Sequence, residues 1–382
     1  MRQLSSSPLG QVRAWLAAAA LALAGLGAGA SQAAAVPADF WGVSPQAAPS
    51  AEQLQRLRRG GVDSIRIGIS WNAAQPKNGV APNFSASDGL IGGAAEAGLN
   101  VLPFVYDAPS WAVPRVKVPG PTSARAPQTL PVKTGAERAA WSAFLAQVVE
   151  RYGPGGRFWS ENPRLPAEPI QTWQIWNEPN FKYFVARPNP VEYGQLVKAS
   201  FAAVRGVDPA AQLVLAGLYS HPGEAGHFSP PRAYFAADFL ERMYRSTPGI
   251  RTKFQGVALH PYTGSFKRLA PQIEEFRQVL ARNHDSGKGL WITEIGWSSE
   301  PFGQEHDSFA KGPAGQAREL KAAFSLFAQK AAKWRLKRIY WFSVDDAPPG
   351  VCNFCGGSGL FGKGFVPKKS WYAYVKFAGG AP

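Results

Sequence analysis

The sequence predicts an α/β chain folded as one closed (β/α)8 barrel of the TIM type, and three observations carry that expectation. From Phe40 onward, short apolar strands alternate with amphipathic helices, and the alternation repeats eight times. The strands are apolar on both faces, as in a parallel sheet covered by helices. Eight such units in about 340 residues suit a closed barrel better than an open sheet. No linker composition or charge run divides the chain, so a single domain is expected over residues 36–382.

Residues 1–35 read as a signal peptide. Arg2 and Arg13 supply a positive start, and Trp15–Ala30 is an Ala/Leu/Gly apolar run. Ala28-Gly29-Ala30 or Ala33-Ala34-Ala35 offers small residues for cleavage. The competing reading is a membrane anchor. The run is only weakly hydrophobic and no second span follows, so a periplasmic or secreted protein without stable membrane insertion is expected.

The first strand, F-W-G-V (40–43), leads into a helix at Ser50, where Gln53 three residues on completes a capping box. Gly60-Gly61 ends that helix. The second strand is S-I-R-I-G-I-S-W (64–71), and its helix runs from about Ser87 to before Gly98. The third is N-V-L-P-F-V-Y (100–106), followed by a Pro-rich loop (109–131). Thr134 and Glu137 then open a helix with Trp141, Phe144, Leu145, Val148 and Val149 at helical spacing. The fourth strand, Gln171–Trp176, lies between Pro169 and Pro179, and Pro179 has no N–H to donate to a ladder. Beyond it, helix and strand alternate: helix Pro190–Val207, strand Gln212–Leu218, helix Arg232–Arg245 and strand Phe254–His260. Helix Ile273–Asn283, strand Gly289–Ile295, helix Gly315–Trp334, strand Arg338–Val344 and a closing helix Trp371–Phe377 complete the series.

Composition excludes several classes. With 45% hydrophobic residues, a core of this size needs no disulfide staples. The formal charge of +15 is spread along the chain with no nucleic-acid motif, so nucleic acid is not an expected partner. A basic proteome or envelope compartment accounts for it; attraction to an anionic polymer is the alternative. The only cysteines, Cys352 and Cys355, form one C-x-x-C. Redox activity, half a zinc site or a small-loop disulfide are open to such a pair. No second pair of ligands and no thioredoxin-like context accompanies it, so a disulfide stiffening a loop is expected in an exported chain. The five histidines lack ligand spacing, so neither metal nor cofactor is expected. G-S-G-L-F-G (357–362) does not precede a helix after a first strand, so it is not a nucleotide loop. There is no G-x-S-x-G.

In a (β/α)8 barrel the site lies at the carboxyl ends of the strands. There the fourth strand presents Asn177 and Glu178 in W-N-E-P, and the seventh presents Glu294 in T-E-I-G-W. Other ends carry Arg66 and Trp71, Tyr106 and Asp107, His260 and Tyr262, and Trp341 and Asp345. Each alone reads as an ordinary packing or capping residue. Their convergence on one rim is the signal. Two carboxyl groups facing one acetal carbon make a glycosidase pair, and Trp and Tyr suit the apolar faces of sugar rings.

These motifs, with H-P-Y on the sixth strand and Y-W-F-S at the eighth, resemble the retaining glycoside hydrolases of clan A. P-F-V-Y-D-A-P-S-W-A and the ending G-L-F…P-K-K-S-W-Y-A-Y are most similar to family 39-like enzymes, among them bacterial exopolysaccharide glycosidases and cellulase-like relatives. The resemblance covers nearly the whole chain after Phe40 and implies a retaining β-glycosidase acting on a polysaccharide or oligosaccharide. It implies Glu178 as acid/base, Glu294 as nucleophile and Asn177 on the sugar 2-hydroxyl. Tyr262 would orient Glu294, Arg66 would hold it ionised, and Trp341 would floor the reacting sugar. His260 matches a sixth-strand histidine with no clear role. Tyr106-Asp107 departs from the histidine that many family 5 relatives carry, which weakens a plain cellulase reading. A carboxyl separation of roughly 5–5.5 Å is expected for double displacement. A transglycosylase or a catalytically silent glycan-binding barrel are the alternatives. The sugar is not legible, because specificity resides in the loops 107–133, 219–232, 298–313 and 345–366.

Overall fold

Strands apolar on both faces need cover on both, and a closed barrel wrapped in helices supplies it. In a computed structural model, residues 36–114, 116, 128–221, 233–301, 308–348 and 355–382 are described. The expected signal peptide and Cys352 lie outside the described residues. In chain order the elements begin with β1 (Trp41–Val43), α1 (Ala51–Arg59), β2 (Ser64–Ser70), α2 (Trp71–Ala74), α3 (Ser85–Glu96) and β3 (Asn100–Tyr106). Then come α4 (Gly135–Tyr152), α5 (Arg157–Glu161), β4 (Thr172–Ile175), α6 (Pro190–Val207), β5 (Gln212–Tyr219) and α7 (Ala236–Ser246). The chain continues with β6 (Gly256–His260), α8 (Leu269–Arg282), β7 (Gly289–Ile295), α9 (Gly312–Trp334) and β8 (Leu336–Trp341). It ends in a small ribbon, β9 (Phe361–Gly362) with β10 (Val366–Pro367), and α10 (Lys369–Ala378). The strands β1 to β8 pair in sequence order, all parallel, and β8 closes on β1. No helix among the described residues is long and apolar enough to cross a membrane.

The capping box at Ser50 and Gln53 forms as its spacing predicts, and Thr134 caps α4 by accepting from Glu137 N. Alternation along β2 sends Ile65, Ile67 and Ile69 outward into the main core beneath the helices. Leu102, Val214, Ala258, Trp291 and Tyr340, one from each of five strands, make a separate apolar cluster. A Cβ on Gly256 would stand 2.1 Å from the Trp291 ring, so only glycine leaves that ring room to fill the barrel.

Two departures from the sequence reading matter. The second strand stops one residue early, because Ser70 accepts from Ala73 N and starts α2 at Trp71. The eighth strand starts early, because Arg335, in left-handed backbone at φ 53°, turns α9 directly into β8, and it ends at Trp341. The two short helices α2 and α5, and the terminal ribbon, lacked a periodicity long enough to read.

Candidate active site

A regular strand sends alternate side chains to opposite faces, so two neighbours cannot both enter the barrel. Here two local distortions permit it. On β4, Gln174 points inward and is fully buried, and Ile175 joins the outer core. Strict alternation would aim Trp176 inward. Its left-handed backbone (φ 71°) instead turns it onto Trp141 in the outer layer, at 5.9 Å between ring centroids. Asn177 and Glu178, the latter also left-handed at φ 40°, then both face the barrel axis. Non-glycine residues in that region cost about 1–3 kcal/mol each, so the surroundings must hold them. Asn180 does so: its Nδ2 donates to the carbonyls of Tyr219 and Tyr234, each at 2.8 Å, and its Oδ1 accepts from Tyr219 N at 3.1 Å. On β7 the register against β8 slips between Ile292 and Ile295, and this bulge brings Thr293 and Glu294 inward together.

Arg66 organises the floor. Its Nη1 donates to Glu294 Oε1 at 2.7 Å, its Nη2 to Asn177 Oδ1 at 2.6 Å and its Nε to Gln174 Oε1 at 2.7 Å. Ser44 Oγ accepts a weaker bond from Nη1, and the guanidinium lies 4.0 Å from the centroid of the Phe104 ring. Tyr262 OH donates to the other oxygen of Glu294 at 2.9 Å. On the far side, His260 Nδ1 bonds Glu178 Oε1 at 2.7 Å and its Nε2 bonds Thr293 Oγ1 at 2.9 Å.

These surroundings separate the carboxyl groups. Burial lifts Glu178 well above its ordinary 4.5, the nearby Glu294 charge adds to that, and Arg66 only partly offsets it. Burial also raises Glu294, against the expectation that it is held low, while Arg66 and Tyr262 pull it back. Glu178 is therefore the more readily protonated of the two, since it has no cation bonded to it. Burial and then Arg66 push His260 well below 6.5, so it is neutral. Glu178, His260 and Glu294 each offer a donor atom within 4.8 Å of the others, a spacing that suits a metal. The guanidinium on Glu294 opposes a second cation there, and the arrangement suits proton traffic better.

Six predicted residues thus meet: Arg66, Asn177, Glu178, His260, Tyr262 and Glu294. Tyr106 stands half-buried on the rim beside Phe104, at 4.9 Å between centroids. Asp107 is committed to holding loops, accepting from Ser70 Oγ and from Gln128 Nε2. Two predictions need correction. Trp71 does not face the site; as the first residue of α2 it is fully buried against Trp111, Trp141 and Phe144. Trp341 does not floor it either: fully buried, it packs between Trp297 and Phe324 and donates to Ser358 O at 3.1 Å. The next residue, Phe342, takes the barrel side, with its ring 6.3 Å from that of Tyr262. Sequence reasoning also missed Gln174, Thr293, Asn180 and Gly217. A glutamine in an apolar strand was a visible signal for the first. The others are defined only by their neighbours.

Two substitutions test this frame. A Cβ on Gly217 would lie 1.9 Å from His260 Nε2 and 2.5 Å from Thr293 Oγ1. Gly217→Ala should therefore displace His260, destabilise the fold by about 1–3 kcal/mol in denaturant titration and depress turnover. Arg66→Met removes the cation beside Glu294. The carboxyl pKa then rises further, so the acid limb of the kcat/KM profile should move to higher pH. Stability should fall by about 3–5 kcal/mol, the cost of leaving a buried charge unpaired. An unmoved acid limb would show that Arg66 does not set the ionisation of Glu294.

A family model described as glycosyl hydrolase catalytic core matches residues 159–356. A beta-xylosidase from Geobacillus stearothermophilus is 26% identical over 246 residues, covering 62% of this chain and 44% of the relative. The chain thus spans less than half the length of that curated relative. A family 39 glycoside hydrolase from Bacteroides cellulosilyticus WH2 superposes with a TM-score of 0.61 at 20% identity, over 90% of this chain and 64% of that one. A monomeric beta-xylosidase from Caulobacter crescentus CB15 gives 0.60 at 17% identity, over 90% of this chain and 69% of that one. Likeness at such identities speaks to the fold, which is shared. The family match spans more than half of the sequence, and the chain therefore belongs to the glycosyl hydrolase catalytic core family.

Proposed function

We propose that the protein is a retaining β-glycosidase, cleaving O-glycosidic bonds of a polysaccharide or oligosaccharide by double displacement. One observation carries this reading: Glu178 and Glu294 bring carboxylate oxygens within 4.8 Å of each other. Retaining enzymes hold the pair about 5–5.5 Å apart, whereas inverting ones need roughly 6.5–9.5 Å to seat a water. Glu178, protonated because it is buried beside another carboxyl, gives its proton to the leaving oxygen. Glu294, fixed by Arg66 and Tyr262, forms the bond to the anomeric carbon. Glu178, now ionised, takes a proton from water, which releases the sugar with retained configuration. Asn177, anchored through its Oδ1 on Arg66, leaves its amide N–H groups for the 2-hydroxyl.

The relatives named beta-xylosidase make β-xylosides the first substrates to try. Export after removal of residues 1–35, and a Cys352–Cys355 bridge in the loop beyond β8, complete the proposal. Cys355 itself is buried. The test is a panel of aryl β-glycosides followed by NMR of the first-formed anomer. A β product supports retention, and an α product overturns it. Absence of turnover on any glycan would leave a binding barrel. Transfer to an added acceptor sugar in preference to water would mark a transglycosylase.

A further inference from the structure

An unbroken run of hydrogen bonds leads through the floor of the site from Arg66 to Glu178, and the chemistry of its members gives each bond a direction. Arg66 Nε can only donate, so Gln174 presents Oε1 to it, at 2.7 Å. Leu215 O can only accept, so the other end of that amide, Nε2, turns to it at 3.1 Å. The second hydrogen of Nε2 faces Thr293 Oγ1 at 3.4 Å. Among the described residues, the one other polar partner of that hydroxyl is His260 Nε2, at 2.9 Å. Gln174, Thr293 and His260 are all fully buried.

The hydroxyl proton of Thr293 therefore has a single acceptor, a bare Nε2 on His260. Hydrogen on Nε2 would leave that proton buried without a partner, a loss that folded interiors avoid. With Nε2 bare and the ring neutral, hydrogen sits on Nδ1. Nδ1 lies 2.7 Å from Glu178 Oε1 and 3.6 Å from Glu294 Oε2, so an N–H and not a lone pair is aimed at the two carboxyl groups.

We propose that Gln174 and Thr293 are positioning residues that fix His260 in the tautomer with hydrogen on Nδ1, and so keep the transferable proton of Glu178 on Oε2. This rests on the glycosidase reading above, with Glu178 as acid/base. Oε1 accepts from Nδ1 whether Glu178 is protonated or ionised, so neither half of the reaction requires the ring to reorganise. In the opposite tautomer a bare Nδ1 would draw the acidic proton onto Oε1, where it points into the protein and away from a leaving oxygen.

Nitrogen-15 NMR of histidine-labelled protein reads the tautomer, because a ring nitrogen that bears hydrogen and a bare one resonate far apart. A His260→Asn variant assigns the signals. Wild type should show hydrogen on Nδ1 and a bare Nε2 on both sides of the Glu178 titration. Hydrogen on Nε2, or a ring that changes tautomer as Glu178 titrates, overturns the proposal. Kinetics tests the consequence. Thr293→Val removes the hydroxyl at nearly constant shape, and Thr293→Ser keeps it. On a glycoside whose leaving group needs a proton, the valine variant should lose about tenfold more kcat/KM than on the dinitrophenyl glycoside of the same sugar, the size of one buried hydrogen bond. The serine variant should restore the ratio. Equal loss on both substrates would mean that Thr293 only supports the fold, and overturns the positioning role. Failure of wild type to turn over any glycoside overturns the glycosidase reading instead, while the spectra still decide the tautomer.

Discussion

Glu294→Ala is expected to lower kcat/KM by at least about 10³-fold on aryl glycosides, because in the proposed mechanism Glu294 forms the bond to the anomeric carbon. Glu294 is the carboxylate whose two oxygens are both pinned, by Arg66 on one side and Tyr262 on the other. Such fixation suits a nucleophile that must approach one carbon along one line. The alanine variant opens a hole on that face, and azide entering it should restore turnover. Azide would displace the leaving group directly while Glu178 donates its proton, so the product would be the α-glycosyl azide. A β-azide would mean that the roles of the two glutamates are exchanged.

Glu178→Gln is expected to cost about as much on sugar leaving groups, but little in the first step on a dinitrophenyl glycoside, whose leaving group departs without a proton. In the proposed mechanism the alkaline limb of the wild-type profile reports loss of the Glu178 proton, so it should vanish in this variant. Retention of that limb would place the essential acid elsewhere. Stability offers an independent check. The folded-state pKa of Glu178 lies well above 4.5, so the native state holds this proton more tightly than the unfolded chain does. Its contribution is full below the unfolded value and is lost as pH rises through the folded one. Glutamine carries no such dependence. The variant should therefore melt above wild type at pH 7, by a margin that shrinks toward pH 4. A margin independent of pH would mean that Glu178 titrates normally.

Much of this protein is legible in its residues. Apolar strands alternating with helices require a covered parallel sheet, and eight units close it, which places every strand end on one rim. That is why Glu178 and Glu294, far apart in the chain, pair on sequence grounds alone. The capping residues at Ser50 and Thr134 were equally readable, because a cap depends on bonds within one turn.

Side-chain direction at those ends was not readable. Strand parity is a period-two rule, and one left-handed residue or one bulge reverses it. Trp176 and the slip on β7 reverse it where it matters most, and the same parity decides between Trp341, which faces the helices, and Phe342, which faces the site. The standing of Glu294 belongs to the same class, because desolvation comes from every element packed around it and no local motif encodes it. The sequence alone determined the barrel and its two glutamates. Only the tertiary structure decided which neighbours point inward and what surrounds each glutamate, since both depend on residues distant in the chain meeting at one point.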